Sequence, residues 1–240
     1  MVLLNLNSRQ NISDGSPQNF EVNYNVPLEF LQSTEIALIG CNMWYSWHNI
    51  SKEYNTNKLK YFDGKEFKII IFPEGNYDFD DIQDYINDHF KTNDPPISIH
   101  ANTVTLRTIV LLKPGFQIDL SKDSSGELYK IFGFEPQIIN QPKAESKFKA
   151  DITRGVDRIL IHCSIVGGTF ENTFESDVIY SFVPNKAPGS ILDIQPFHPI
   201  YLPLKEITIR KIRMKITDQN DRPIDLNGQN LDYLLNIRSN

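Results

Sequence analysis

His162 and Cys163 are the only adjacent histidine and cysteine in the chain, the pair from which a thiolate nucleophile and its base are commonly built. They lie in an alternating apolar run, so as strand neighbours they point to opposite faces and cannot serve each other. Cys163 then falls on the apolar face, where a thiol is inert packing and not a nucleophile. The histidines at 48, 89, 100, 162 and 198 form no His-x-His and no helical i, i+4 pair, and there is no Cys-x-x-Cys. Zinc sites and metal-dependent jelly-roll enzymes need such clusters, so neither a metal nor a cofactor is expected. No phosphate loop, nucleophile elbow or paired-carboxylate spacing occurs, and no enzyme is expected.

Two acidic groups could bind calcium. Asp78, Asp80, Asp81, Asp84 and Asp88 carry helical apolar spacing between them and read as a solvated helix face. Residues 218–228 are richer in oxygen ligands, with Asp218, Asp221 and Asp225, but a polar turn between two strands is the better reading than a calcium loop. Lys205, Arg210, Lys211, Arg213 and Lys215 gather positive charge on one strand. The stripe is short and lacks interleaved aromatics, so direct nucleic-acid binding is not expected. The stripe reads as a polar outer strand face or as a surface that docks an acidic neighbour, and with Asp218, Asp221 and Arg222 it forms the candidate interface. Of Trp44, Tyr45 and Trp47, the alternation sends Tyr45 and Trp47 into a core.

The elements that must hold these residues are mostly strands. The 240 residues include 30 Ile but only 5 Ala, together with 22 Asn. That balance favours pleated surfaces and turns over helices. Period-2 alternation predicts strands over 2–7, 18–26, 35–48, 158–166, 177–183, 191–204 (irregular), 207–217 and 231–237. Ala37, Ile39, Cys41, Met43, Tyr45 and Trp47 should share one face, and Pro27 should close the second strand. Ile207 and Ile209 have one parity, while Ile212, Met214 and Ile216 have the other, which predicts a bulge near Arg210-Lys211. Asp63-Gly64 reads as a two-residue hairpin link. Residues 66–135 read as strand, helix (78–90), three strands and a short helix (128–132), capped by Ser124-x-x-Glu127 and stopped at Gly133. Residues 137–150 read as a linker.

The expected fold is therefore mainly β: a single jelly-roll sandwich of eight strands from residues 1–65 and 150–240, with an inserted α+β unit over 66–149. A net charge of −6 excludes a basic nucleic-acid coat. The longest apolar runs, 69–72 and 109–112, are too short to cross a membrane, and no signal peptide is readable. Cys41 and Cys163 should be buried reduced thiols in a soluble protein. Asn11-Ile12-Ser13 and Asn49-Ile50-Ser51 match the glycosylation tripeptide, as expected by chance with so many Asn.

Several segments in order carry a family resemblance. They are Asn42-Met43-Trp44-Tyr45-Ser46-Trp47; Phe72-Pro73-Glu74-Gly75-Asn76-Tyr77 leading into Asp81-Ile82-x-x-Tyr85-Ile86; Leu128-x-x-Ile131-Phe132-Gly133-Phe134; Ile152-Thr153-Arg154-Gly155-Val156-Asp157; Ser176-Asp177-Val178-Ile179-Tyr180-Ser181-Phe182; Pro199-Ile200-Tyr201-Leu202-Pro203; and Thr217-Asp218-Gln219-x-x-Arg222-Pro223-Ile224-Asp225-Leu226-Asn227-Gly228. The series resembles the minor capsid (penton) proteins of Polinton/Maverick elements, adintoviruses and virophages. The resemblance implies a homopentamer at the fivefold vertices of an icosahedral virion capsid, bordered by double-jelly-roll major capsid protein trimers. It implies a subunit made in the host cytoplasm and assembled there or in the nucleus. It also makes the inserted unit a projecting or inter-subunit feature, and it transfers no catalytic residue. The competing reading is a jelly-roll binding module for a glycan or cell-surface receptor, using Trp44, Trp47 or the 218–227 loop.

Overall fold

The computed structural model describes residues 1–9, 16–152 and 156–239, the side chain of Glu171 apart. Asn11-Ile12-Ser13 and Thr153-Arg154-Gly155 lie outside the described residues. Two compact units form, one from residues 1–47 and 156–240, the other from 48–155. The strands begin with β1 (Val2–Asn7), β2 (Asn19–Glu29), β3 (Thr34–Trp44), β4 (Lys58–Phe62), β5 (Phe67–Ile71), β6 (Ile97–Asn102), β7 (Arg107–Leu112), β8 (Gln117–Asp119), β9 (Ile138–Ile139) and β10 (Lys143–Lys149). They continue as β11 (Ile159–Cys163), β12 (Thr169–Glu171), β13 (Phe174–Ser176), β14 (Val178–Phe182), β15 (Ile191–Ile194), β16 (Leu202–Pro203), β17 (Thr208–Asp218) and β18 (Leu231–Ser239). The helices are α1 (Phe79–Phe90), α2 (Lys122–Ser125) and α3 (Leu128–Ile131).

In the first unit one sheet runs β1-β18-β3-β15, with β16 also on β3, and the other runs β14-β11-β17-β2. All the pairs are antiparallel: β1 with β18, β2 with β17, β3 with β15, β11 with β14. First pairs with last, second with second-last, and so inward, as in one long hairpin rolled over itself, which is the jelly roll. Both inner faces feed a single core that includes Phe20, Leu38, Met43, Trp47, Ile161, Ile212, Met214 and Tyr233. Each fully buried Ile or Leu side chain there contributes about 1.5–3 kcal/mol. The irregular strand expected over 191–204 is two short pieces, β15 and β16, on the same partner. Pro196 and Pro199, which cannot donate to a ladder, lie in the gap between them.

Parity is adjusted twice. The register of β17 on β2 slips between Ile209 and Lys211, where the bulge was expected. Leu28 faces Ile209 and Asn23 faces Lys211, so residues 24–27 of β2 stand opposite Arg210 alone and the surplus lies on β2. Pro27 therefore does not end β2; it sits in this excursion of an edge strand, where a missing N–H costs no ladder bond. The second slip, on β3 opposite Leu234 and Leu235, corrects the expected face of that strand. Ile36 and Leu38 enter the core, Ile39 does not, and Cys41, Met43, Tyr45 and Trp47 do. Asn227 and Gly228, both at positive φ, turn the chain into β18 as expected.

The second unit starts earlier than residue 66. The hairpin β4–β5 belongs to its four-stranded sheet, β5-β4-β8-β9, beside a three-stranded sheet β10-β7-β6. Phe62 pairs with Phe67, so four residues, not two, make the link; the Asp63 carboxylate accepts from the N–H groups of Lys65 and Glu66 within it. Asp78 caps α1 in a reciprocal box with Asp81, and Ile82 and Ile86 are buried beneath it. The box expected at Ser124 does not form, because the Ser124 hydroxyl donates to the Asp119 carboxylate instead. Gly133 does stop α3, at φ 68°, and a β-carbon there would lie 2.5 Å from the carbonyls of Phe148 and Lys149. The expected linker holds β9 and the edge strand β10; exposed Lys143, Lys147 and Lys149 on β10 discourage further strand pairing.

Asn49 ties the two ends of this unit. Its amide nitrogen donates to the carbonyls of Tyr77 and Ile152, each at 2.7 Å, and its oxygen accepts from the Tyr77 N–H at 2.9 Å. Only 6% of Asn49 is exposed, so this tripeptide has no glycosylation role in the folded chain. Asn49→Ala should cost about 2–4 kcal/mol, because buried backbone groups lose their partners. Asn49→Asp should not rescue, since a carboxylate cannot donate to two carbonyls; amide exchange across residues 48–155 reads both. Asp119 is a second anchor. Burial alone would raise its pKa, but Ser121, Ser124 and Lys60 outweigh it and hold the value at about 2. A folded pKa below the unfolded one gives stability that is full above the ordinary value and fades as pH falls toward 2. Asp119→Asn should therefore lose about 2 kcal/mol at pH 7, and the loss should shrink toward zero as pH falls through about 2, by urea midpoints.

Candidate functional site

The polar residues with chemical potential gather on the outer face of β14-β11-β17. His162 lies on β11 and Lys215 is its cross-strand partner on β17. Thr217 shares their outward parity, whereas Ile161, Cys163, Met214 and Ile216 face the core. The His162 Nδ1–H donates to Asp177 Oδ1 at 2.7 Å, and the Thr217 hydroxyl lies 2.8 Å from Nε2. A carboxylate, an imidazole and a hydroxyl thus stand in the order of a nucleophilic triad. The hydrogen bond from His162 holds the Asp177 carboxyl below its usual pKa.

Access decides what this triad can do. His162, Asp177, Lys205, Lys215, Asp221 and Phe174 line an open cleft of about 560 Å³, but Thr217 does not reach it and is completely buried. A hydroxyl that no substrate can approach is a hydrogen-bond anchor. The chain Asp177-His162-Thr217 fixes the exit of the β12–β13 hairpin to the sheet. That hairpin follows Gly168, turns at Asn172 with φ 53°, and exposes Phe170 and Phe174. Sequence reasoning saw neither hairpin nor triad. The available signal was the pair of polar residues, His162 and Thr217, at outward positions of otherwise apolar strands.

The candidate interface residues divide into two sets. Lys205 pairs with Glu175 at 3.6 Å, and Lys215 with Asp221 at 3.0 Å, both at the cleft. Asp218 is buried; it holds Arg222 at 2.6 Å and accepts from the N–H groups of Asn220 and Arg222. Its oxygens close a turn, and among the described residues no three His, Cys, Asp or Glu side chains converge as a metal site. Arg210, Lys211 and Arg213 stand apart on the outer surface. Lys211 and Arg213 share the single carboxylate of Glu21, each at 3.3 Å, and Arg210 is exposed without an ion pair among the described residues.

The remaining candidates are packing or surface. Tyr45 and Trp47 stack in the core with centroids 3.8 Å apart, while Trp44 is 41% exposed. Cys41 and Cys163 are free and buried. Burial pushes the Cys163 thiol up to about 12 and the Cys41 thiol further still. Among the described residues no helix is long and apolar enough to cross a membrane. Native protein should therefore resist a thiol-specific reagent at pH 8, with reaction limited by unfolding, and both thiols should titrate in denaturant. Rapid modification of Cys163 in the folded chain would contradict its place in the core.

No protein-family model and no curated protein sequence matches this chain. Among solved structures it is similar to the selenomethionine-labelled mavirus penton protein, with a TM-score of 0.52 and 7% sequence identity, over 99% of each chain. At that identity the likeness is one of fold: a mainly β, penton-like jelly roll with the inserted unit included in the alignment.

Proposed function

We propose that this chain is a minor capsid (penton) subunit of the kind found in Polinton/Maverick elements, adintoviruses and virophages. It forms homopentamers at the fivefold vertices of an icosahedral shell, bordered by double-jelly-roll major capsid trimers, and its place is the virion. The observation that carries this reading is the fold likeness to a virophage penton protein across 99% of both chains, sandwich and insertion together. The site chemistry agrees: in the triad-like array the Thr217 hydroxyl is buried beyond a substrate's reach, and the carboxylates nearby hold turns and hairpins. The function is then geometric, with one heterologous contact repeated until the ring closes. Each contact in a ring that is stable before assembly buries well over ~1,000 Å².

One observation favours a second reading, glycan recognition: exposed Trp44 flanks a cleft with Asn42, Gln229 and Asn230, an aromatic platform beside amides. Native mass spectrometry of the purified chain tests the first reading. A particle of five 27.7-kDa subunits is expected. A strict monomer at high concentration that binds oligosaccharide through Trp44 would overturn it in favour of the second.

A further inference from the structure

The outer face of the β1-β18-β3-β15 sheet carries an open groove of about 630 Å³. One row crosses all four strands: Asp193 faces Asn42, Asn42 faces Asp232, and Asp232 faces Asn7. Below it Gly40 opposite Leu234 leaves the floor shallow. The two carboxylates lie about 10 Å apart, two strand spacings. Gln195 donates to Asp193 and Asn7 donates to Asp232, but among the described residues no cation pairs with either. Arg238, on the same strand as Asp232, is already held by Glu35 at 2.9 Å and by the Tyr201 ring. Arg9 flanks the groove and makes no ion pair among the described residues. Ile39 and Leu234 are part of its lining, and Ile191, 46% exposed, stands opposite Trp44 beyond one end.

The opposite face of the same sandwich has the complementary excess. The parity slip on β17 turns Arg210 and Lys211 outward together, with Arg213 next in line, against the one carboxylate of Glu21. Val26 and Ile207 are exposed on the same strand pair. A groove with two carboxylates that pair with no cation among the described residues, and a ridge of three cations beside one carboxylate, thus occupy the two outer faces of one unit. They cannot meet within a chain, and a twofold dimer would set like against like. A contact joining them is head-to-tail and leaves one face free at each end, the heterologous kind that closes into a ring where its rotation permits.

We infer that the Arg210/Lys211/Arg213 ridge of one copy seats in the Asp193/Asp232 groove of the next. This names the contact within the ring-forming reading above and rests on it. The test is a charge swap, read by native mass spectrometry and sedimentation velocity at low salt. Asp193→Lys with Asp232→Lys, or Arg210→Glu with Arg213→Glu, should each weaken ring formation more than tenfold while melting temperatures stay near wild type. All four substitutions in one chain restore opposite charges at every contact and should restore the pentamer. That recovery also shows that loss in the two-residue variants is not misfolding. A mixture of the two single-face variants pairs only in alternation, so it should give even-numbered or open species and no five-membered ring. A wild-type ring left intact by either single-face variant, or a folded swapped chain that stays monomeric, overturns the contact and leaves the pentamer standing. A wild-type chain that never self-associates overturns both.

Discussion

The sandwich depends on parity. Every strand of the two main sheets must send alternate residues into one shared core, and a slip of one residue would expose an entire face. Over the long strands β3 and β17 no single register satisfies this requirement, and each changes parity once. On β3 the change brings Ile36 and Leu38 into the same core as Cys41 and Met43. On β17 it brings Ile209 into line with Ile212 and Met214, and the partner strand takes up the excess in residues 24–27. The surface inherits the adjustment, since two consecutive cations face outward where regular alternation would have buried one. The basic ridge is thus a by-product of core packing.

This explains which features were legible in the sequence. Where parity is visible in residue types, as in Ile207 to Ile216, the bulge could be read before any coordinates. On β3 the slip is hidden, because Ile36, Ala37, Leu38 and Ile39 are all apolar and either alternation looks consistent. Helix α1 was legible because its caps and its buried face are local in sequence. The Ser124 cap failed because a distant strand residue, Asp119, captured the hydroxyl. Strand β10 was misread as a linker for a related reason: an edge strand needs few apolar residues, and its lysines belong to its role.

The polar groups separate along the same line. Asp177, Asp218 and Asp119 each organise a local turn or hairpin through short hydrogen bonds. Asp193 and Asp232 differ because, among the described residues, their close side-chain partners are amides. Nothing in the sequence marks the difference. Asp193 and Asp232 are brought together by β3 lying between their strands, and Asp177 and Thr217 are brought to one imidazole by β11. Charge composition was readable; charge neighbourhood needed the strand order.

The Asn49 clasp has a topological meaning. Entry and exit of residues 48–155 are joined by one amide, so between β3 and β11 this whole unit behaves as a tight turn does. Loop-closure entropy grows only logarithmically with length, and here the ends are fixed by hydrogen bonds within the unit itself. The clasp returns the chain from residue 152 to residue 49, so residues 48–155 close on themselves between β3 and β11.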